Sequence, residues 1–395
     1  MRSRLRRARQ PHASCSGGAC AYACAAGFGD CDGNAANRCE APLTTNANCG
    51  ACGRSCPCNA GACMTTGGLS ASADQTCARL SNGTAWCWGG GYSGGATSPT
   101  RVGTSTTAAE VSAGVDETCV RLSDGTAQCF SNTRTLLMLG GTFSGIASLS
   151  AENGHRCATL SDGSARCGGM NESGQLGDGT MNNGSPLVQD GVAGGVLMGV
   201  AQVASSSQRT CVRTTSGAVR CWGAGYHGDG AAFVTRTRPG ASAMGLSGAA
   251  EIATYFRDTC ARLTDGSVWC WGAFNSFGEL GDGTTSAREL PVRVAGLSGL
   301  AAGSGTSPAL AVGNSHACVR LANGTVQCWG DLGGAGGAPR TVAGLADVVE
   351  LAAGTSHVCA RTSNGVIWCW GENGRGQLGD GTTSTRSAPT MVRWP

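Results

Sequence analysis

An aliphatic side chain stands eight residues ahead of each of seven cysteines. Leu69, Val111, Leu149, Val203, Ile252, Leu310 and Leu351 precede Cys77, Cys119, Cys157, Cys211, Cys260, Cys318 and Cys359. The residue after each of these cysteines is Ala or Val, and the third is Leu in five units (Leu80, Leu122, Leu160, Leu263, Leu321), with Arg or Thr between. That alternation has the period of a β-strand. The aliphatic position therefore marks one strand and the cysteine a second. A third carries another cysteine ten residues on, followed by Trp-Gly in five units (Trp88, Trp222, Trp271, Trp329, Trp370), with Phe130 and Gly168 breaking the pattern. A weaker fourth strand follows a proline at Pro99, Pro291, Pro339 and Pro389.

Between the second and third strands lies a polar triplet ending in Gly, such as Ser363-Asn364-Gly365. A three-residue hairpin loop commonly ends on a left-handed residue, which glycine adopts without steric cost. Such a loop sets Thr362 opposite Val366 and Cys359 opposite Cys369. Directly opposed residues of an antiparallel pair lie within the α-carbon separation a disulfide needs. The same spacing predicts bridges Cys77–Cys87, Cys119–Cys129, Cys157–Cys167, Cys211–Cys221, Cys260–Cys270, Cys318–Cys328 and Cys359–Cys369. Free buried cysteines are the competing reading, but seven pairs at one spacing favour bridges. Bridges in turn imply an oxidising compartment.

The first cysteines are separated by 42, 38, 54, 49, 58 and 41 residues, so the units are constant and the connections vary. Seven units of four short strands describe an all-β fold, a seven-bladed β-propeller of four-stranded blades. The tryptophans then read as blade packing.

The units resemble the repeats of the regulator of chromosome condensation family, marked by a His, a small-aliphatic strand, a Gly turn, Trp-Gly and then Gly-Gln-Leu-Gly. The fullest matches are His357–Thr382 and the stretch Asn171–Thr180, "NESGQLGDGT", with "GELGDGT" at Gly278–Thr284 close behind. The resemblance covers about residue 65 to the C-terminus and implies a seven-bladed propeller. It says less about function: eukaryotic members act as nucleotide exchange factors on a small nuclear GTPase and touch chromatin, whereas a bacterial relative is a secreted inhibitor of β-lactamases. The two cysteine columns depart from the intracellular members and point to the secreted branch.

Three segments follow: a basic tail (1–14), a Cys-rich module (15–63) and the propeller (64–395). The module holds ten cysteines and no visible apolar core, so it reads as a small disulfide framework of undetermined connectivity. Zinc at Cys49, Cys52 and Cys56, and calcium at Asp30, Asp32 and Asn34, are its weaker readings. It is similar to short modules preceding repeat domains in surface proteins of myxobacteria. The tail has five arginines and none of the apolar run that a secretory signal carries. An extracellular or cell-surface location is thus inferred from cysteines alone, with a start upstream or another export route. No stretch is long and apolar enough to span a membrane.

Net charge is +3, and without the tail it is −2. A near-neutral propeller lacks the basic face that a nucleic-acid partner requires. His155, His316 and His357 share one repeat position and read as scaffold. The Asp of each "GDG" (Asp178, Asp282, Asp380) reads as a turn cap. No nucleophile, phosphate-loop or metallo-hydrolase motif is present. Departures from symmetry are the better guide to a working face. The connections between strands one and two and between strands three and four emerge at one end of each blade. At that end stand Tyr92, Tyr226, His227, Tyr255, Phe256, Arg257, Phe274 and Phe277, residue types enriched at interface hot spots. The expectation is a monomeric, non-enzymatic propeller without a cofactor, binding a protein or polysaccharide through that face. An envelope enzyme with a site at the propeller mouth and an intracellular exchange-type scaffold are the alternatives.

Overall fold

The computed structural model describes residues 66–132, 144–297, 300, 308–333 and 337–395, together with the backbone of Leu136–Leu137 and of six short strands before residue 66. The Cys-rich module and its proposed metal positions lie outside the residues described in full.

Seven sheets follow one another along the chain, at 66–102, 108–137, 146–169, 200–236, 249–293, 310–341 and 348–391. Each is a simple antiparallel meander, and its strands are called A to D in chain order. Six blades have four strands. In blade 3 the fourth position is filled by isolated bridges at Arg166–Leu187 and Gly169–Gly184. The A strands neighbour one another from blade to blade, and Val348–Ala353 of blade 7 returns to Thr66–Ser72 of blade 1. A strands therefore surround the axis, and D strands form the rim.

The hairpin read from the polar triplet is present. Thr362 N–H donates to Val366 O at 2.9 Å and Gly365 has φ 83°. Cys359 faces Cys369, and every unit repeats the pairing. All seven bridges form, with α-carbons 4.0–4.1 Å apart. Trp88, Trp222, Trp271 and Trp329 are fully buried between blades.

Neighbouring blades are joined by polar side chains at fixed repeat positions. On strand A, one residue before the aliphatic anchor, Glu251 Oε2 pairs with Arg262 Nε at 3.0 Å. Its Oε1 accepts from Ala309 N–H and Leu310 N–H of blade 6 at 2.9 and 3.1 Å. Glu110 and Glu350 repeat this towards blades 3 and 1, and Gln202 does so with an amide towards blade 5. On strand B, two residues before the cysteine, His155 Nε2 meets Thr210 Oγ1 at 3.1 Å and His357 Nε2 meets Thr76 Oγ1 at 2.7 Å, each in the next blade. Those hydroxyls donate onward to Gln175 O and Gln377 O at 2.9 Å, so the imidazoles are the donors. Burial lowers His155 and His316 to about 4 and His357 to about 3. They are neutral scaffold groups.

The ring closes without exchanging a strand. Glu350 accepts from Leu69 N–H, His357 meets Thr76, and Trp394 packs edge-on against Trp86 and Trp88 with ring centroids 6.0 Å away.

Candidate functional site

The A–B and C–D connections emerge together, as the meander requires, and the structure sorts the eight singled-out residues into three groups. Tyr92 and His227 are buried at 5% and 0% exposure. Tyr92 packs edge-on against Phe130 of blade 2 at 5.8 Å and its hydroxyl accepts from Gly103 N–H, while His227 Nε2 meets Gly223 O at 3.2 Å. Burial takes both out of the exposed set. Tyr226 is half-buried, edge-on to Phe233 at 6.0 Å.

Tyr255 turns towards the axis. Its hydroxyl bonds Thr355 Oγ1 of blade 7 at 2.6 Å, and burial together with Glu152 holds the phenol well above its usual range. Glu152 of blade 3 is itself buried and accepts from the Ser72 hydroxyl of blade 1. Since blade 2 separates 1 from 3 and blade 6 separates 5 from 7, these contacts span the A–B end of the axial channel. Sequence reading missed Glu152, which occupies the strand-end position held by Ser72, Ser206 and Tyr255 in other blades.

The third group forms the candidate site. Tyr255 pairs with Asp258, so the A–B turn of blade 5 is Phe256-Arg257. Two-residue hairpins of this kind place a residue at positive φ, for which blade 3 uses Asn153-Gly154. Blade 5 instead holds Phe256 at φ 45°. A bulky side chain there costs roughly 1–3 kcal/mol of local strain, and such strain persists only where surrounding contacts hold it. The Phe256 ring lies 5.4 Å from that of Phe274, tilted by 37°. Arg257 Cζ sits 5.1 Å from the ring centroid of Phe233, 5.3 Å from Phe256 and 5.6 Å from Phe274. Three phenyl rings from three connections thus surround one guanidinium. Phe233, Phe274 and Phe277 remain 44%, 37% and 53% exposed.

Beneath the cluster, fully buried Arg209 donates to Tyr226 O at 2.8 Å and to Thr259 Oγ1 at 2.7 Å. Burial lowers its pKa to about 10, and neighbouring Arg257 acts in the same direction. Asp258 accepts from Phe274 N–H at 3.2 Å, and burial pushes its carboxyl up to about 8. Buried Glu279 accepts from Phe277 N–H at 2.9 Å. Among the described residues no carboxylate forms an ion pair with Arg257. Phe233 was missed in the sequence although it stands in the same C–D connection as Tyr226 and His227.

The "GDG" segments are scaffold. Asp178, Asp282 and Asp380 each accept from the amide and hydroxyl of the Thr two residues on, and Asn171, Asn275 and Asn373 are buried and pin the loop from inside. No group of three His, Cys, Asp or Glu suited to a metal occurs among the described residues. Nor is any described helix long and apolar enough to cross a membrane.

Seven consecutive antiparallel meanders closed around an axis define a β-propeller, and its asymmetric A–B/C–D face defines the candidate interface. More particularly, parts of the chain match the regulator of chromosome condensation (RCC1) repeat. Two profiles of that description match, one at residues 200–229, 309–334 and 348–377 and the other at 265–320 and 364–395. No curated protein sequence matches the chain. Among solved structures, yeast RCC1 (Prp20) bound to Kap60 is similar with a TM-score of 0.64 at 16% identity, over 84% of this chain and 85% of that one. Human WBSCR16 gives 0.62 at 20% identity, over 76% and 85%. Prp20p from Saccharomyces cerevisiae gives 0.60 at 17%, over 84% and 87%. Identities this low establish the shared fold.

Proposed function

We propose that this protein is an interaction propeller, secreted or held at the cell surface, which binds a protein or polysaccharide partner through the A–B/C–D face of blades 4 and 5 and catalyses no reaction. The observation that carries this reading is the cluster of Phe233, Phe256 and Phe274 around Arg257. Elsewhere the same turn positions hold small or polar residues such as Ala73, Asn153 and Ser207. Aromatic and Arg side chains supply most hot-spot energy at interfaces, and partly exposed rings already packed side by side lose little rotamer freedom on binding. The similar yeast propellers are described with protein partners, Kap60 for one and Gsp1p and histones for the other, which supports a binding role for the fold. The seven bridges support an oxidising location over a nuclear one. The repeat-position histidines His155 and His357, engaged between blades, favour binding over catalysis.

The test uses the full chain on a support, exposed to proteins and polysaccharides of the native cell envelope, beside the triple variant Phe233→Ala/Phe274→Ala/Phe277→Ala. A partner retained by the wild type and lost from a variant of equal melting temperature supports the reading. Equal retention by both places the working face elsewhere.

A further inference from the structure

The chemistry of the partner can be read from what already fills the aromatic cluster. A ring of phenyl faces attracts a cation, and an empty one would suit an ammonium ligand. Here the cation is the protein's own: Arg257 Cζ lies 5.1–5.6 Å from three ring centroids. The guanidinium is thereby collared by rings, and what the site offers a ligand is the N–H edge of Arg257 itself. That edge has no carboxylate partner among the described residues. The nearby acids are committed elsewhere, Asp258 to Phe274 N–H and Glu279 to Phe277 N–H. The next cation, Arg209, is buried below and adds positive potential. A planar fork of donors in an apolar collar matches a carboxylate bidentately, and the collar strengthens the bond by excluding water.

Resting on the interface assigned to blades 4 and 5, we infer that the partner is a protein presenting an Asp or Glu carboxylate to Arg257, flanked by apolar side chains that pack on Phe233, Phe274 and Phe277. A protein segment fits better than a uronate polysaccharide, because phenyl rings offer nothing to hydrogen-bond sugar hydroxyls. A single accessible guanidinium is likewise a poor phosphate-backbone reader. Neutralising the Arg257 charge on binding makes affinity depend on salt.

The probe is an array of synthetic peptides in which Asp or Glu is flanked by Leu and Phe, with matched sets carrying Asn or Gln and Lys, read with the full chain and with polygalacturonate as the competing ligand. The expected result is retention of the acidic apolar set only, weakened by 0.5 M NaCl, about tenfold or more weaker for Arg257→Gln, and partly kept by Arg257→Lys. Binding of acidic peptides that falls in Phe274→Ala/Phe277→Ala but is unchanged in Arg257→Gln overturns the carboxylate inference and leaves the interface standing. Peptide binding unchanged in both variants removes the interface as well. Retention of the Lys set, retention of polygalacturonate alone, or retention of no peptide by the wild type overturns the inference of an acidic protein partner.

Discussion

Replacing Glu152 by Gln should stabilise the propeller at neutral and alkaline pH and do little at pH 4.5. Glu152 is buried at the A–B end of the channel, faces the Ser72 hydroxyl, and lies near the carboxylate of Glu117 and the phenol of Tyr255. Burial, reinforced by Glu117 and opposed by the Ser72 donor, pushes its carboxyl up to about 8. An unfolded chain returns it to the ordinary value of about 4.5. Above that pH the unfolded state releases a proton which the folded state keeps. The stability contribution of the protonated group is therefore complete below pH 4.5 and is lost as pH rises to about 8, at about 1.4 kcal/mol per pH unit. Between pH 5 and pH 7 the loss is on the order of 3 kcal/mol. Gln keeps an acceptor for Ser72 and does not titrate, so the variant escapes that loss. At roughly 2 °C per kcal/mol for a chain of this size, its melting-temperature advantage should grow by about 5 °C over the interval. Scanning fluorimetry of wild type and Glu152→Gln in one buffer series reads the difference directly. Parallel pH profiles would refute the reasoning, since they would mean that Glu152 ionises in the folded state as freely as in the unfolded one.

Buried His155, His316 and His357 act in the opposite sense: their lowered values give a contribution present above about pH 6.5 and lost as pH falls through about 4 for His155 and His316 and about 3 for His357, so the triple Gln variant should melt less steeply with acid than the wild type. Glu251→Ala removes the ion pair with Arg262 and the acceptor of two amides of blade 6, and equilibrium denaturation should show a loss of about 3–5 kcal/mol. Trp394→Ala removes the ring that wedges against Trp86 and Trp88 at the blade 7–blade 1 seam, at a cost of about 3–5 kcal/mol, with hydrogen exchange rising first in blades 1 and 7. Non-reduced peptide mapping should recover the seven in-blade bridges, and the Cys359→Ser/Cys369→Ser pair should cost roughly 2–3 kcal/mol.

The architecture was legible because it is repeated. A cysteine pair ten residues apart, a Gly-ended triplet and an aliphatic residue eight positions upstream together set register, turn and strand order, and each bridge lies where that spacing places it. The staples were legible in principle: Glu110, Gln202, Glu251 and Glu350 all stand nine residues before a first cysteine. Their role was invisible because the partner amides belong to the next blade, some forty to sixty residues away in sequence for Glu110, Gln202 and Glu251 and 281 residues away, across the ring closure, for Glu350. The site was read in part. Departure from symmetry picked out Phe256, Arg257, Phe274 and Phe277, but it could not tell an aromatic that faces solvent from one that fills a seam. Tyr92 meets Phe130, one of the two residues replacing Trp in the repeat, and His227 folds back onto Gly223. Tyr255 differs from its turn neighbours by the alternation of a strand: successive residues point to opposite sides, so it enters the channel mouth while Phe256 and Arg257 crown the turn.

Titration of a purified partner onto the full chain, in wild type and in Phe233→Ala/Phe274→Ala/Phe277→Ala, tests the assigned interface most directly. Affinity should fall by at least about 2 kcal/mol with the melting temperature held within about 2 °C, because exposed rings contribute contact area to a partner and little to the blades. An intact affinity accompanied by a large drop in melting temperature would show instead that these rings are packing and that the protein works through another face.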